Sequence, residues 1–534
     1  MKTSSHTARA ASALLENARK RAIDFLQFVN ETGSPYHSVL AVQTRLEANG
    51  FTQLDERELW GVQRGGKYFV VRNHACIAAF VVGRHFMESE GGFSIVAAHT
   101  DSPCLRLRPN SNLKKENIQQ VGVECYGGGL WHTWFDRGLG IAGKVIVKDE
   151  KKRQTEYHAG RHRDRGDEGF PGLAARLIRI NEPLVILPNL AIHLQTAEEI
   201  AAFKINKENH LQPVLCTEVY RQLLEVKDTK DPDGDRDAEK EKRSVDDDRH
   251  RDEEKQRSSD SPRTSSSDGC SAPKEGRCAP PLLALVAKEL QVSPSDIVDW
   301  DLCLMDATPS RLCGIAEEFV ESPRLDNLGS IWAAFTSLIE CADTVPDGGI
   351  AMAVGFDHEE VGSESYTGAA SNALLMWMER IVAGMGAGAA GWFPQVLARS
   401  FIVSSDMAHG VHPNYADRHQ GQNKPQLQKG IVLKENANQR YTTNAESMAL
   451  IKAIASRAGV EVQDFVVKND SRCGSTVGPM LSSRLGVRTV DIGIPQWAMH
   501  SCREVCGVLD LDALFSLLQA FYAHFRALDE SFEK

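Results

Sequence analysis

The chain has 534 residues, too many for one ordinary hydrophobic core, so two structural domains are expected. Hydrophobic residues at 42% and charged residues at 25% are typical of a soluble globular protein, and a net charge of -11 argues against nucleic acid or an anionic membrane as the main partner. No stretch approaches the ~18–20 consecutive apolar residues of a membrane span.

At the N-terminus, Leu14, Leu15, Ala18, Ala22, Phe25, Leu26 and Val29 recur near helical spacing. An amphipathic helix is expected there rather than a secretory signal, which needs a compact apolar centre. The 12 cysteines include no CxxC pair and read as reduced thiols of a cytoplasmic protein. Strand-like runs follow in "KYFVV", "CIAAFVVG" and "FSIVAAH", then in "GIAMAVGF", "SFIVSSD" and "VRTVDIGI". Helix-like runs alternate with the later strands: "NLGSIWAAFTSLIECA", "SNALLMWMERIVAGM", "TNAESMALIKAIASRAG" and "DLDALFSLLQAFYAHFRAL". Alternation of this kind implies an α/β sheet with helices on its faces.

The middle section, 105–280, carries short β-like runs such as "IAGKVIVKD" and "PLVILPNLAIHL", and is expected to be a separate, mostly β insertion. It divides the main α/β domain into residues 1–104 and 281–534. From Lys227 to Cys278 there is no Leu, Ile, Phe, Met, Trp or Tyr. Such a segment buries too little apolar surface to offset its ordering entropy, so a disordered spacer is expected. A second polar interruption, around 148–170, reads the same way.

Several strand-like runs end in potential metal ligands. "FSIVAAHTD" ends in His99 and Asp101, "AMAVGFDHEE" in Glu359 and Glu360, and "SFIVSSD" in Asp406. "VRTVDIGIPQWAMHS" leads to His500, and Asp326 opens a helical run in "ESPRLDNLGS". Ligands of open α/β sheets gather outside the carboxyl ends of the strands, so these residues form one constellation. Imidazoles with carboxylates suit zinc or another borderline divalent ion, and there are enough for two ions sharing a bridging acid. One acid must stay outside the metal shell to take a proton from water, and adjacent glutamates allow that division. Each piece alone has a blander explanation: a helix cap for Asp326, a solvated pair for Glu359 and Glu360, a structural histidine for His500. Only their joint placement favours a metal centre.

The local words are more specific. "AAHTDSPCLRLR", "YGGGLWHTWFDR", "LAIHLQ", "SPRLDNLGS", "FDHEEVGSES", "SDMAHGVHPNY", "QRYTTNAES", "NDSRCGSTVGP" and "MHSCRE" together resemble the aspartyl aminopeptidases, dinuclear zinc exopeptidases that remove N-terminal Asp or Glu. The resemblance runs from about residue 20 to the C-terminus, apart from the two polar insertions. It implies a zinc-exopeptidase-like catalytic domain with a central mixed sheet flanked by helices, plus an inserted dimerisation domain. It also implies two zinc ions per subunit, with manganese or cobalt as possible substitutes.

By the same resemblance, His99 and Asp406 serve one zinc, Glu360 and His500 the other, and Asp326 bridges. Glu359 is the implied general base, and Asp101 completes the catalytic machinery by orienting the ring of His99. Glu359, Asp406, His409 and His500 would contact the substrate, with Lys434 and Tyr441 receiving its acidic side chain. His193 of "LAIHLQ" would enter a neighbouring subunit's site, and a dodecamer built from dimers is the implied assembly. One departure stands out: "WFDRGLG" has Gly138 where the family usually has an acid. Two other readings are a related dinuclear aminopeptidase of neutral specificity and a self-assembling cargo particle with a vestigial site.

Overall fold

The alternating apolar runs assemble into a nine-stranded mixed sheet in the computed structural model, which describes residues 2–149, 172–228, 276–346, 348–386 and 389–532. The strands Ile350–Phe356, Phe93–His99, Phe401–Ser405 and Arg488–Gly493 lie side by side and parallel at its centre. Each is buried along nearly its whole length, as a sheet covered on both faces requires. The two-residue period then assigns alternate side chains to opposite layers. Phe93, Ile95 and Ala97 pack into one core, whereas Val96 and Ala98 pack into the other.

Helices complete both layers. In the helix Ala373–Ala383, Leu374, Trp377, Met378 and Ile381 recur at helical spacing and enter the first core. Trp377 is fully buried there, and its truncation to Ala should cost about 3–5 kcal/mol. Opposite, the helix Val508–Ser531 presents Leu511, Leu514, Phe515, Leu518 and Phe525. The helix Ala445–Ala458 starts at a capping box between Asn444 and Ser447 and stops at left-handed Gly459, as "TNAES" and "AG" foretell.

The middle section forms a closed barrel from the strands Ile297–Asp306, Cys104–Lys115, Ile118–Tyr126, Val214–Thr217, Leu173–Ile186 and Gly138–Lys148. It therefore extends past the expected boundary at 280. The strand Ile297–Asp306 pairs along Gly138–Lys148 and closes the ring that would otherwise leave an open edge. Gly138 has a steric reason of its own: a Cβ there would meet Pro183 Cβ at 2.5 Å. The acid usual at this position has no room.

The helix Lys2–Glu31 appears as expected, with Ala18, Ala22, Phe25 and Val29 buried. Leu14 and Leu15 are instead exposed, because the helix runs beyond the core in this chain alone. The expected spacer Lys227–Cys278, apart from its ends, and most of the 148–170 interruption lie outside the described residues. No described helix is long and apolar enough to cross a membrane.

Candidate metal centre

Three neighbouring parallel strands deliver their acids and imidazole to the same edge. His99 is the last residue of its strand, in register with Phe356 of the next. Asp406 follows directly on the strand Phe401–Ser405. Past Phe356 the chain turns sharply through left-handed His358 (φ 63°) and Gly362 (φ 103°), which bracket a short helical turn, Glu359–Val361. That turn aims two backbone N–H groups at one carboxylate. Glu359 N donates to Asp101 Oδ1 and Glu360 N to Asp101 Oδ2, each at 3.1 Å. Tyr126 Oη adds a third donor at 2.7 Å. Asp101, so fixed, lies 3.4 Å from His99 Nδ1 and leaves Nε2 free to face the cleft.

Asp326 and His500 arrive from elsewhere. Asp326 is not the helix cap: Arg324 holds that position, and Asp326's own φ and ψ (-82°, 102°) are non-helical. Its backbone N–H donates to Glu504 Oε2 at 3.0 Å. The other oxygen of Glu504 accepts from the backbone N–H of His500 at 2.7 Å. One buried carboxylate thus links the two segments. His500 Nδ1 lies 3.2 Å from the carbonyl of Gly128, in the "YGGGLW" turn. Gly127, at φ 75°, leaves its missing Cβ 3.2 Å from that of Glu360, so this turn closes tightly over the cluster.

Asp326 stands between the two imidazoles. Its Oδ1 is 3.2 Å from His99 Nε2, and its Oδ2 is 3.5 Å from His500 Nε2. Asp406 Oδ1 lies 3.5 Å from His99 Nε2, and Glu360 Oε2 lies 3.4 Å from His500 Nε2. Glu359 Oε2 is farther, 3.8 Å from His99 Nε2, and its side chain retains 13% exposure where that of Glu360 retains 4%. Two groups of potential donor atoms share Asp326, and one acid is set back. All six residues named for metal and base converge.

This much negative charge is unstable in a buried pocket. Burial raises Glu359 and Glu504 to about 8, and raises Glu360 with help from the Asp326 charge. Burial opposes the imidazolium of His500, but the Asp326 carboxylate prevails and lifts it to about 9. Three buried oxygens, Asp326 Oδ1, Glu360 Oε1 and Asp406 Oδ1, accept no hydrogen bond. Such atoms are costly unless a cation takes them, and imidazole with carboxylate is a donor set for zinc. The residues fit the metal.

The substrate residues divide. Lys434 is buried; its Nζ donates to Met407 O at 2.8 Å and lies 3.4 Å from Asp406 Oδ2. Tyr441 has its ring centroid 5.6 Å from the same ammonium. His409 packs edge-on against Phe465, the register partner of Lys434. His193 is not brought to the cluster. It sits exposed in the turn Ile192–Leu194, among the exposed side chains of Leu190, Ile192 and Leu194. Sequence reasoning missed Glu504 and Tyr126. An acid four residues past His500, inside the β-like "REVCGV", was the available signal for the first.

The chain matches the family model for aminopeptidase I zinc metalloproteases (M18) over residues 28–165 and 171–522. It is 38% identical over 523 residues to a Dictyostelium discoideum protein named aspartyl aminopeptidase, covering 96% of this chain and 99% of that one. Among solved structures, that of the Ape4 and Nbr1 complex superposes with a TM-score of 0.80 at 38% identity, covering 97% of this chain and 88% of that chain. The Saccharomyces cerevisiae mApe1 dodecamer does so with a TM-score of 0.74 at 25% identity, covering 96% and 98%. With its acids and imidazoles gathered at the strand edge, the chain belongs to the M18 family of zinc metallo-aminopeptidases.

Proposed function

We propose that this aminopeptidase hydrolyses the first peptide bond of peptides beginning with Asp or Glu. The observation that carries the reading is the division of the cluster: two ligand sets meeting at Asp326, with Glu359 held back beside them. His99, Asp406 and Asp326 Oδ1 would hold one zinc; His500, Glu360 and Asp326 Oδ2 the other. Manganese or cobalt suits the same donors. When bound, the pair would polarise the scissile carbonyl and acidify the attacking water.

The protein's own groups do the rest. Glu359, outside both ligand sets, takes the proton from the water and returns it to the leaving amine. Asp101 holds the ring of His99, and Glu504 holds the segments bearing Asp326 and His500 in mutual register. Lys434 has three N–H donors, of which one goes to Met407 O, leaving charge for an acidic side chain. A desolvated carboxylate lacking such a donor would lose several kcal/mol. The name aspartyl aminopeptidase, carried by the Dictyostelium relative, supports this specificity.

The assembly follows the same logic. The barrel, residues 105–280 with the closing strand Ile297–Asp306, serves as a dimerisation domain between catalytic segments 1–104 and 281–534. Leu190, Ile192 and Leu194 are exposed around His193, which favours a partner surface there. His193 then reaches the neighbour's site, and dimers build a dodecamer like the one formed by mApe1. Ten described cysteines, Cys278 aside, are free thiols, in keeping with the cytoplasm. The test is metal analysis coupled to steady-state assays on Asp-, Glu-, Leu- and Ala-terminated peptides. Faster turnover of the neutral peptides would end the acidic assignment.

A further inference from the structure

Beside the buried Lys434 the molecule opens into a recess of about 310 Å³ whose outer wall no role above has used. Its inner wall is His409, Tyr441 and Phe465, and its outer wall carries Arg418, Lys468 and Arg472. No Asp or Glu lines it, although the chain as a whole has a net charge of -11. A concentration of cations against the overall charge is a focused positive field. Packed side chains also join the wall of the recess to the acid cluster. Phe465 pairs in register with Lys434, the Tyr441 and Phe465 rings lie 6.4 Å apart, and Lys434 in turn touches Asp406.

The three cations are weakly committed. Arg418 Nε lies 3.8 Å from Asp417, with both side chains about four-fifths exposed. Lys468 lies 3.9 Å from Asp470 and donates to the carbonyl of Asp417. Exposed pairs of that length contribute little and exchange readily. Arg472, in "NDSRCGSTVGP", makes no ion pair among the described residues. A guanidinium offers a planar fork that matches a carboxylate with two parallel hydrogen bonds, which an ammonium does not.

The geometry points to this recess as a second anionic subsite of the cleft, in which Arg472 binds a carboxylate of the peptide and so helps determine specificity. The inference rests on the peptidase reading above. The carboxylate belongs either to the first residue's side chain or to an acid farther along the peptide; both present the same chemistry.

Arg472→Met keeps the aliphatic stem of an exposed side chain and removes the fork. Three probes separate the sources: Asp-Leu-amide, Asp-Leu-Asp-amide and Leu-Leu-amide. We expect Arg472→Met to lower an acidic-to-neutral ratio of kcat/KM about tenfold, and Arg472→Lys to restore part of it. A fall in Asp-Leu-amide relative to Leu-Leu-amide assigns the first side chain. A fall confined to Asp-Leu-Asp-amide assigns the later acid. Ratios unmoved for every probe overturn the inference, as does an equal loss on all three. Calorimetry of the same peptides on Glu359→Gln protein reads binding apart from hydrolysis. A chain that binds acidic peptides through Arg472 but cleaves none would sink the peptidase reading and leave the subsite standing.

Discussion

The backbone N–H of Glu359 donates to Oδ1 of Asp101, the same oxygen that faces His99 Nδ1. A single carboxylate therefore positions both the backbone of Glu359 and the ring of His99. Replacing Glu359 by Gln keeps this backbone contact and the size of the side chain. It removes only the group that accepts the proton. We expect kcat to fall about 10²–10⁴-fold while KM, oligomer size and bound zinc remain near the parent values. Loss of zinc along with activity would instead make Glu359 a ligand.

Lys434 is the test of acidic specificity. Its ammonium is buried against Asp406 and Met407, so Lys434→Met removes the cation while retaining an apolar stem. Hydrolysis of Asp-peptides should fall about 10²-fold relative to Leu-peptides, as a charged donor to a desolvated carboxylate is lost. An unchanged ratio in competition assays would count against the pocket.

Tyr126 reaches Asp101 from the barrel side at 2.7 Å. Tyr126→Phe keeps the ring and deletes one of the three donors that orient the carboxylate. Because partners of a ligand's orienting group typically change metal affinity 10–100-fold, we expect zinc to bind about tenfold more weakly. Chelator competition measures it. Unaltered affinity would show that the two backbone donors from Glu359 and Glu360 suffice.

What was legible in the chain followed from local physics. "FSIVAAH" and "GIAMAVGF" are continuous apolar runs, so both strands, and the polar residues at their ends, are legible in the sequence alone. The words around His99, Asp326, Glu360, Asp406 and His500 pointed to the cluster through their resemblance to the aspartyl aminopeptidases. Glu504 stayed hidden because its value depends on two backbone N–H groups, of Asp326 and His500, that meet only after folding. The barrel boundary escaped for a similar reason. Closure by Ile297–Asp306 is a long-range pairing, and nothing in the run "IVDWDLCLMD" says which strand it will join. The packing cause at Gly138 is likewise invisible locally, because Pro183 lies on a different strand.

Gly138 also gives a stability prediction. Adding a methyl group at a position whose Cβ would lie 2.5 Å from Pro183 forces the two strands apart. Gly138→Ala should lower stability by about 1–3 kcal/mol, read as a lower midpoint in urea with the slope unchanged. Pro183→Ala, combined with Gly138→Ala, should leave that loss largely in place, because the clashing atom is the Pro183 Cβ itself.

The pH dependence of folding should carry the mark of His37. This imidazole is buried, with Nδ1 2.8 Å from Ser34 Oγ. Burial, reinforced by the guanidinium groups of Arg179 and Arg324, lowers its pKa from 6.5 to about 4. Above pH 6.5 both folded and unfolded forms are neutral here and the group contributes nothing. Between 6.5 and 4 the unfolded chain binds the proton more readily, so acidification favours unfolding across this window. The shift corresponds to an upper bound of about 3 kcal/mol, fully developed below pH 4. Urea unfolding of the parent and of His37→Gln, measured from pH 7 to pH 4, isolates the effect as a difference. The parent should lose stability faster than the variant as pH falls, and parallel curves would mean that His37 takes up its proton without cost to the fold.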